Sequence, residues 1–242
     1  MEVAVGSFLN ALGILLGALI GLVRSQPLSR RLQLFFRNAI GALNFSFGVY
    51  LIYLSIGGSF FSCFKQVLIG FFAIILGFWI GKLFGLQKLS NRIGRLAGNA
   101  IVITQKNGMK SWTDGFSACA MLFCAEPLGV VGAVAEGLSG FFYLLAVKAL
   151  MDALAMSDLV KIFRWPSALS AIPIFLFFSS VSMATQIYIK SHLTMPQSNA
   201  INVAAGMITC VVTIVIFEIR KVELANYLPA MVVAPLLVKM FG

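Results

Sequence analysis

Eight stretches of this chain are apolar enough to be read as membrane-crossing helices, and no soluble fold can absorb that many. A spanning helix needs about 20 mostly apolar residues. The runs are 3–23, 38–57, 66–86, 116–135, 138–157, 166–189 and 198–217, with a shorter eighth at 226–241 interrupted by Pro229 and Pro235. Of the 242 residues, 60% are hydrophobic and 11% charged, against about 45–50% and about 25% in ordinary soluble domains. A water-exposed globule of this size cannot hide so much apolar surface. A cytosolic enzyme and a secreted domain are both excluded. The first run follows Glu2, without a basic flank or a small-residue cleavage site, so it reads as a retained helix rather than a signal peptide.

The formal net charge of +10 acquires its meaning from position. Arg24, Arg30, Arg31 and Arg37 follow the first run; Lys88, Arg92, Arg95, Lys106 and Lys110 follow the third. Lys161 and Arg164 follow the fifth, and Arg220 and Lys221 the seventh. The opposite connections hold only Lys65, Lys190 and Lys239. Basic loops stay in the cytoplasm, so this alternation predicts eight passes with both termini on the non-cytoplasmic side of a bacterial inner membrane. It also removes the case for nucleic acid as a partner, since the basic residues orient helices and no RNA-binding aromatic motif or basic tail accompanies them. Cys63, Cys119, Cys124 and Cys210 form no CxxC, which supports neither a disulfide framework nor a zinc site.

The expected fold is an all-α membrane protein of about seven to eight transmembrane helices, forming one domain over 1–242. Its helical hairpins are 1–57, 66–135, 138–189 and 198–242. Gly17-Ala-Leu-Ile-Gly21 matches Gly77-Phe-Trp-Ile-Gly81, and Leu28-Ser29-Arg30-Arg31 matches Leu89-Ser90-Asn91-Arg92 about one hairpin later. Such a repeat is a common way to build transporters, whereas the glycine pairs alone are also small-xxx-small packing faces. The stretches 28–37 and 88–96 alternate basic and apolar residues at helical spacing and predict short amphipathic helices in the headgroup layer.

Few charges fall within the apolar runs, and an ionisable group at bilayer depth normally faces a partner or a wet cavity. Glu126 stands mid-run in Glu126-Pro127-Leu-Gly129-Val-Val-Gly132, where the proline and glycines predict a broken helix. A carboxylate at such a break is a candidate proton or ion site; paired with a lysine it would merely join helices. Lys148 and Asp152 are four residues apart on one helix face and can pair directly. Glu136 ends its run in Glu136-Gly-Leu-Ser-Gly140, where solvation is the simplest expectation. Asn10 and Asn226 lie beside glycine or proline and are better candidates for holding a polar solute than the serine run of the sixth segment, Ser179, Ser180 and Ser182. Pro173 and Pro229 predict further breaks. His192, the only histidine, reads as a surface residue.

At these residues the chain resembles the YqgA/YdfK-like family, multi-pass bacterial membrane proteins known as a domain of unknown function. The resemblance spans nearly the whole length. It rests on Gly6-Ser7-Phe-Leu-Asn10, on Leu122–Cys124 through Glu136–Gly140, and on Lys148 with Asp152. Ser170-Ala-Ile-Pro173 and Ala225-Asn226-Tyr-Leu-Pro229-Ala230 complete it. The chain departs from the pattern at Glu126, where the family has glycine, and at Glu136, where it has aspartate. The resemblance therefore shifts weight from Glu126 towards Glu136, Lys148 and Asp152, and it implies a transporter without a settled substrate.

The expected function is thus transport or conduction of a small solute or ion, coupled to protons or sodium, by a protein whose partners are the bilayer and that solute. The glycine faces leave a homo-oligomer open. A membrane scaffold or accessory subunit is the alternative. An intramembrane enzyme is not expected, because the chain lacks HExxH, GxSxG and a P-loop, and only Asp152 could contribute to an aspartyl pair. No cofactor is expected, for the same lack of motifs.

Overall fold

A computed structural model describes residues 4–24, 26, 29–107 and 112–241. Glu2, Leu28 and Lys110 lie outside them, as does Val3, so the start of the first run and one position of the matched Leu-Ser-x-Arg stretch do too. The described residues are helical, with no strand. Ten α-helices follow in order: α1 Val5–Val23, α2 Arg30–Ser55, α3 Phe60–Phe84, α4 Leu86–Asn107, α5 Trp112–Cys124, α6 Pro127–Ser139, α7 Tyr143–Phe163, α8 Ala171–Ala184, α9 Met195–Ile216 and α10 Ala230–Phe241. Short 3-10 turns, Trp165–Ser170 and Leu224–Tyr227, lead into α8 and α10, and a π-turn, Thr185–Ile189, extends α8. Among the described residues six such segments are long and apolar enough to cross a membrane, or seven if α5 and α6 form one span. Helix α7 matches them in length, but four charged residues, Lys148, Asp152, Asp158 and Lys161, interrupt its apolar character.

Three expected boundaries shift. The stretch 28–37 is not a separate surface helix; from Ser29, whose hydroxyl accepts the Leu32 N–H, it runs straight into the second span. The stretch 88–96 is the first half of a longer helix, α4. The run 116–135 divides into α5 and α6, which meet at a 62° bend. Glu126 precedes proline and is extended there, as the proline ring demands of its neighbour. Proline then occupies the first position of α6, where its missing N–H costs nothing.

Gly129 and Gly132 are not part of the break. Both lie in regular helix, and their missing side chains serve packing. Pro173 makes no break either, because it falls in the first turn of α8. Pro229 does separate a 3-10 turn from α10.

Glycines set the helix neighbours. A Cβ on Gly13, Gly17 or Gly21 of α1 would strike the α7 backbone at Ala149, Ala153 and Ser157 in turn, so the two helices run parallel in near-contact. Gly77 and Gly81 of α3 press on Ala230 and Asn226 instead, in the antiparallel sense. The two matching glycine pairs are thus packing faces with different partners. Gly48 of α2 meets Gly206 of α9, and Asn44 beside it donates to the Thr209 carbonyl (2.9 Å) and to Thr213 Oγ1 (3.0 Å). One apolar core gathers Ile14, Phe123, Leu145, Phe163 and Phe178; a second gathers Leu51, Val131, Leu144 and Ile208. Helices α6 and α7 contribute to both, which places them at the centre of the bundle.

Candidate functional site

The α5–α6 break delivers Glu126 to the middle of α7. Lys148 Nζ lies 2.7 Å from Glu126 Oε2 and 2.9 Å from Asp152 Oδ1. Asn10 of α1 donates from Nδ2 to Asp152 Oδ2 at 2.7 Å. Lys148 and Asp152 are buried, while the Glu126 side chain keeps 35% of its exposure. The Lys148 ammonium sits 5.8 Å from the Phe123 ring and 5.7 Å from the Phe178 ring, within the range of cation–π attraction. Gly129 makes this possible: any side chain there would collide with Phe178 and the Lys148 stem. One cation thus stands between two carboxylates. Asn10 Oδ1 is buried without a partner, an acceptor left open beside the pair.

Glu136 belongs to a second group and is fully buried, contrary to the solvated end that its place in the sequence suggests. Its Oε1 accepts the backbone N–H of Gly6, a donor in the first turn of α1 that has no partner within its own helix. Its Oε2 lies 2.8 Å from Ser182 Oγ of α8 and 3.5 Å from Ser7 Oγ, the latter too long for more than a weak bond. A carboxylate here ties α6 to the positive end of the α1 dipole. The same turns of α1 serve both groups, because Gly6, Ser7 and Asn10 share one helix face and are all buried.

Asn226 joins neither group. Its Oδ1 accepts the Gln87 N–H at 3.1 Å and its Nδ2 donates to Glu223 Oε2 at 2.8 Å, so it clamps the start of α4 to the turn before α10. The residue overlooked in its favour is Ser182. Its signal was periodicity: Ala171, Ile174, Phe178, Ser182 and Thr185 recur at helical spacing and form the buried stripe of the eighth helical segment. His192 is exposed, as expected of a surface residue.

Glu126, Glu136, Lys148 and Asp152 are absent from the lining of five of the best-formed cavities among the described residues. One of them is a cleft of about 320 Å³ between α2, α7 and α9, lined by Gln33, Arg37, Met151, Ala155 and Asp158 among others.

The family described as "Protein of unknown function (DUF554)" matches residues 5–239. The chain belongs to this family. It is 26% identical over 232 residues to "Uncharacterized protein YqgA" of Escherichia coli (strain K12), covering 95% of this chain and 94% of that one. It is 21% identical over 233 residues to "Uncharacterized membrane protein YdfK" of Bacillus subtilis (strain 168), covering 96% and 95%. No solved structure matches the chain. The membrane character read from the apolar runs therefore agrees with a relative named as a membrane protein, aligned from end to end.

Proposed function

We propose that this chain moves a small solute or ion across a bacterial inner membrane, with uptake of a proton or monovalent cation at Glu126, Lys148 and Asp152. One observation carries the proposal: a fully buried lysine is held by two carboxylates, one of them on a broken helix and one-third exposed. Taking ions out of water is costly, and a pair that only joined helices could be replaced by apolar packing at little loss. A cation or proton reaching the exposed Glu126 would compete with Lys148 for it. The released ammonium would still have Asp152, held in place by Asn10. That is an exchange of partners within one group, without a covalent step. Both termini lie on the non-cytoplasmic side in this proposal, and the basic ends of the helices in the cytoplasm.

The experiment is flux into proteoliposomes under an imposed proton or sodium gradient. Wild type and Glu126→Gln, Asp152→Asn and Glu136→Gln variants should be compared at matched, folded protein amounts. The expected result is coupled flux in wild type, lost with the first two variants and retained by Glu136→Gln, whose amide can still accept from Gly6. Equal flux in all four overturns the assignment of the site.

A second proposal, a membrane scaffold without a transport path, is favoured by the full burial of Lys148 and Asp152 and by the absence of the four inner charges from the lining of the cavities described above. Folded wild type with no ion-dependent flux of any kind would decide for it.

A further inference from the structure

Helix α4 packs against α5, the turn before α10 and the end of α3, yet it buries very little of itself. Gly85, in the left-handed region at φ 67°, turns the chain sharply out of α3. A reciprocal clamp then fixes the start of α4: Gln87 N–H donates to Asn226 Oδ1, and Gln87 Oε1 accepts the Ala225 N–H at 3.0 Å. The roll of the helix about its axis is therefore set, and its faces can be read in turn from 100° per residue.

Ala97 and Thr104, seven residues apart, are the buried flank against the bundle. Roughly a quarter turn away, Leu89, Leu96 and Ile103 form a second strip at the same seven-residue spacing, 58%, 53% and 51% exposed. Roughly a further quarter turn brings Lys88, Arg92, Arg95 and Lys106 into a third strip. All four are exposed, and none enters an ion pair with a described residue. The remaining side carries Asn91, Gly94, Gly98 and Gln105, with the exposed Val102 at its border with the basic strip. Residues 86–107 contain no acid.

We propose that α4 binds the headgroups of anionic phospholipids in the leaflet at the basic end of the bundle. The order of the strips decides between partners. With the apolar strip in the acyl boundary and one flank against the bundle, the basic strip points sideways over the surrounding lipid, at phosphate depth. The polar and glycine side is the one left to face the aqueous phase. A nucleic acid or a soluble acidic protein would approach from that side, where there is no cation. Four unpaired cations beside a lipid-facing strip complement a layer of negative headgroups, each attracted more strongly as the layer grows more anionic.

The test uses the full chain in nanodiscs of phosphatidylcholine with and without phosphatidylglycerol. Bound lipid is measured by native mass spectrometry and stability by thermal unfolding. Wild type is expected to retain phosphatidylglycerol preferentially and to unfold at higher temperature when it is present, with both effects weakened at high salt. The combined Lys88→Gln, Arg92→Gln, Arg95→Gln and Lys106→Gln variant is expected to lose the preference and the stabilisation alike. Should that variant fail to fold, the Arg92→Gln, Arg95→Gln pair is read instead. A Leu96→Trp variant, otherwise wild type, adds a fluorophore that acyl-brominated lipid should quench. Equal phosphatidylglycerol retention by wild type and variants overturns the proposal. So does an added indole that brominated lipid leaves unquenched, or a duplex oligonucleotide that displaces the bound lipid.

Discussion

At Lys148 the molecule commits a full positive charge to a site without solvent, and the two carboxylates beside it carry unequal shares of that burden. Asp152 is as buried as the lysine, whereas Glu126 is one-third exposed. Removing the cation leaves Asp152 uncompensated, which in buried pairs costs about 3–5 kcal/mol. Lys148→Ala is therefore expected to lower thermal stability severely. Glu126→Gln keeps an oxygen that accepts the ammonium and leaves the Lys148–Asp152 pair in place, so it should cost far less stability than Lys148→Ala. Differential scanning of the two purified variants checks this, and equal losses would show that the group is one indivisible staple. The Lys148–Asp152 pair is legible in the chain because four residues fix their separation on a helix. Glu126 is legible as an anomaly that a lysine could pair, but not as the partner of Lys148, since only the bend between α5 and α6 turns it towards α7. Glu136 misleads for a related reason. Its donors, Gly6 and Ser182, lie 130 and 46 residues away, and nothing local announces them.

Among the elements, glycine is the residue whose role depends most on its neighbours. Gly17 lies against the backbone of Ala153, and Gly81 against that of Asn226, where a larger group has nowhere to go. Gly94 and Gly98 in α4 meet nothing within 4 Å. The same residue type should thus respond in opposite directions. Gly17→Val should part α1 from α7 and cost at least the about 1–3 kcal/mol of an overpacked core. Gly94→Ala and Gly98→Ala should each stabilise α4 by about 0.5–1 kcal/mol through the helix preference for alanine. Thermal unfolding in detergent measures both, and a stabilised Gly17→Val would refute the near-contact of α1 and α7. Spacing in the chain shows that Gly17 and Gly21 share a face. It does not show which helix that face meets, and it suggests a break at Gly129 and Gly132 where there is only close packing. Helix α4 is underestimated for the opposite reason: its second half, Ala97–Asn107, carries a single charge, Lys106, and so lacks the alternation that marks the first half.

At the scale of the whole bundle, helix directions add a second test of the number of crossings to that of loop charge. The contacts of Gly13, Gly17 and Gly21 advance along α7 in the same sense as along α1, so the two helices are parallel. Helices α2 and α3 lie between them in the chain as two crossings in the proposed topology, with α4 along the basic end as proposed above. Parallel α1 and α7 then require one more complete crossing, and only the bent α5–α6 pair can make it. A re-entrant loop would leave α7 antiparallel to α1. The antiparallel contacts of α3 with α10 and of α2 with α9 agree with this count. Six helices, or seven spans with α5–α6 taken as one, are long and apolar enough to cross, and the proposed topology counts α7 as the eighth. Single cysteines placed in a chain free of its own four should report this with a membrane-impermeant thiol reagent. Ser59→Cys, Ser139→Cys and Ser191→Cys are expected to label in intact cells, and Lys221→Cys only after permeabilisation. Labelling of position 221 together with 59 in intact cells, with 139 reached only after permeabilisation, would show that the chain turns back at Glu126. In that case the exposed carboxylate would face the compartment directly instead of standing within a crossing helix, and the exchange proposed for Lys148 would lose its place in the membrane.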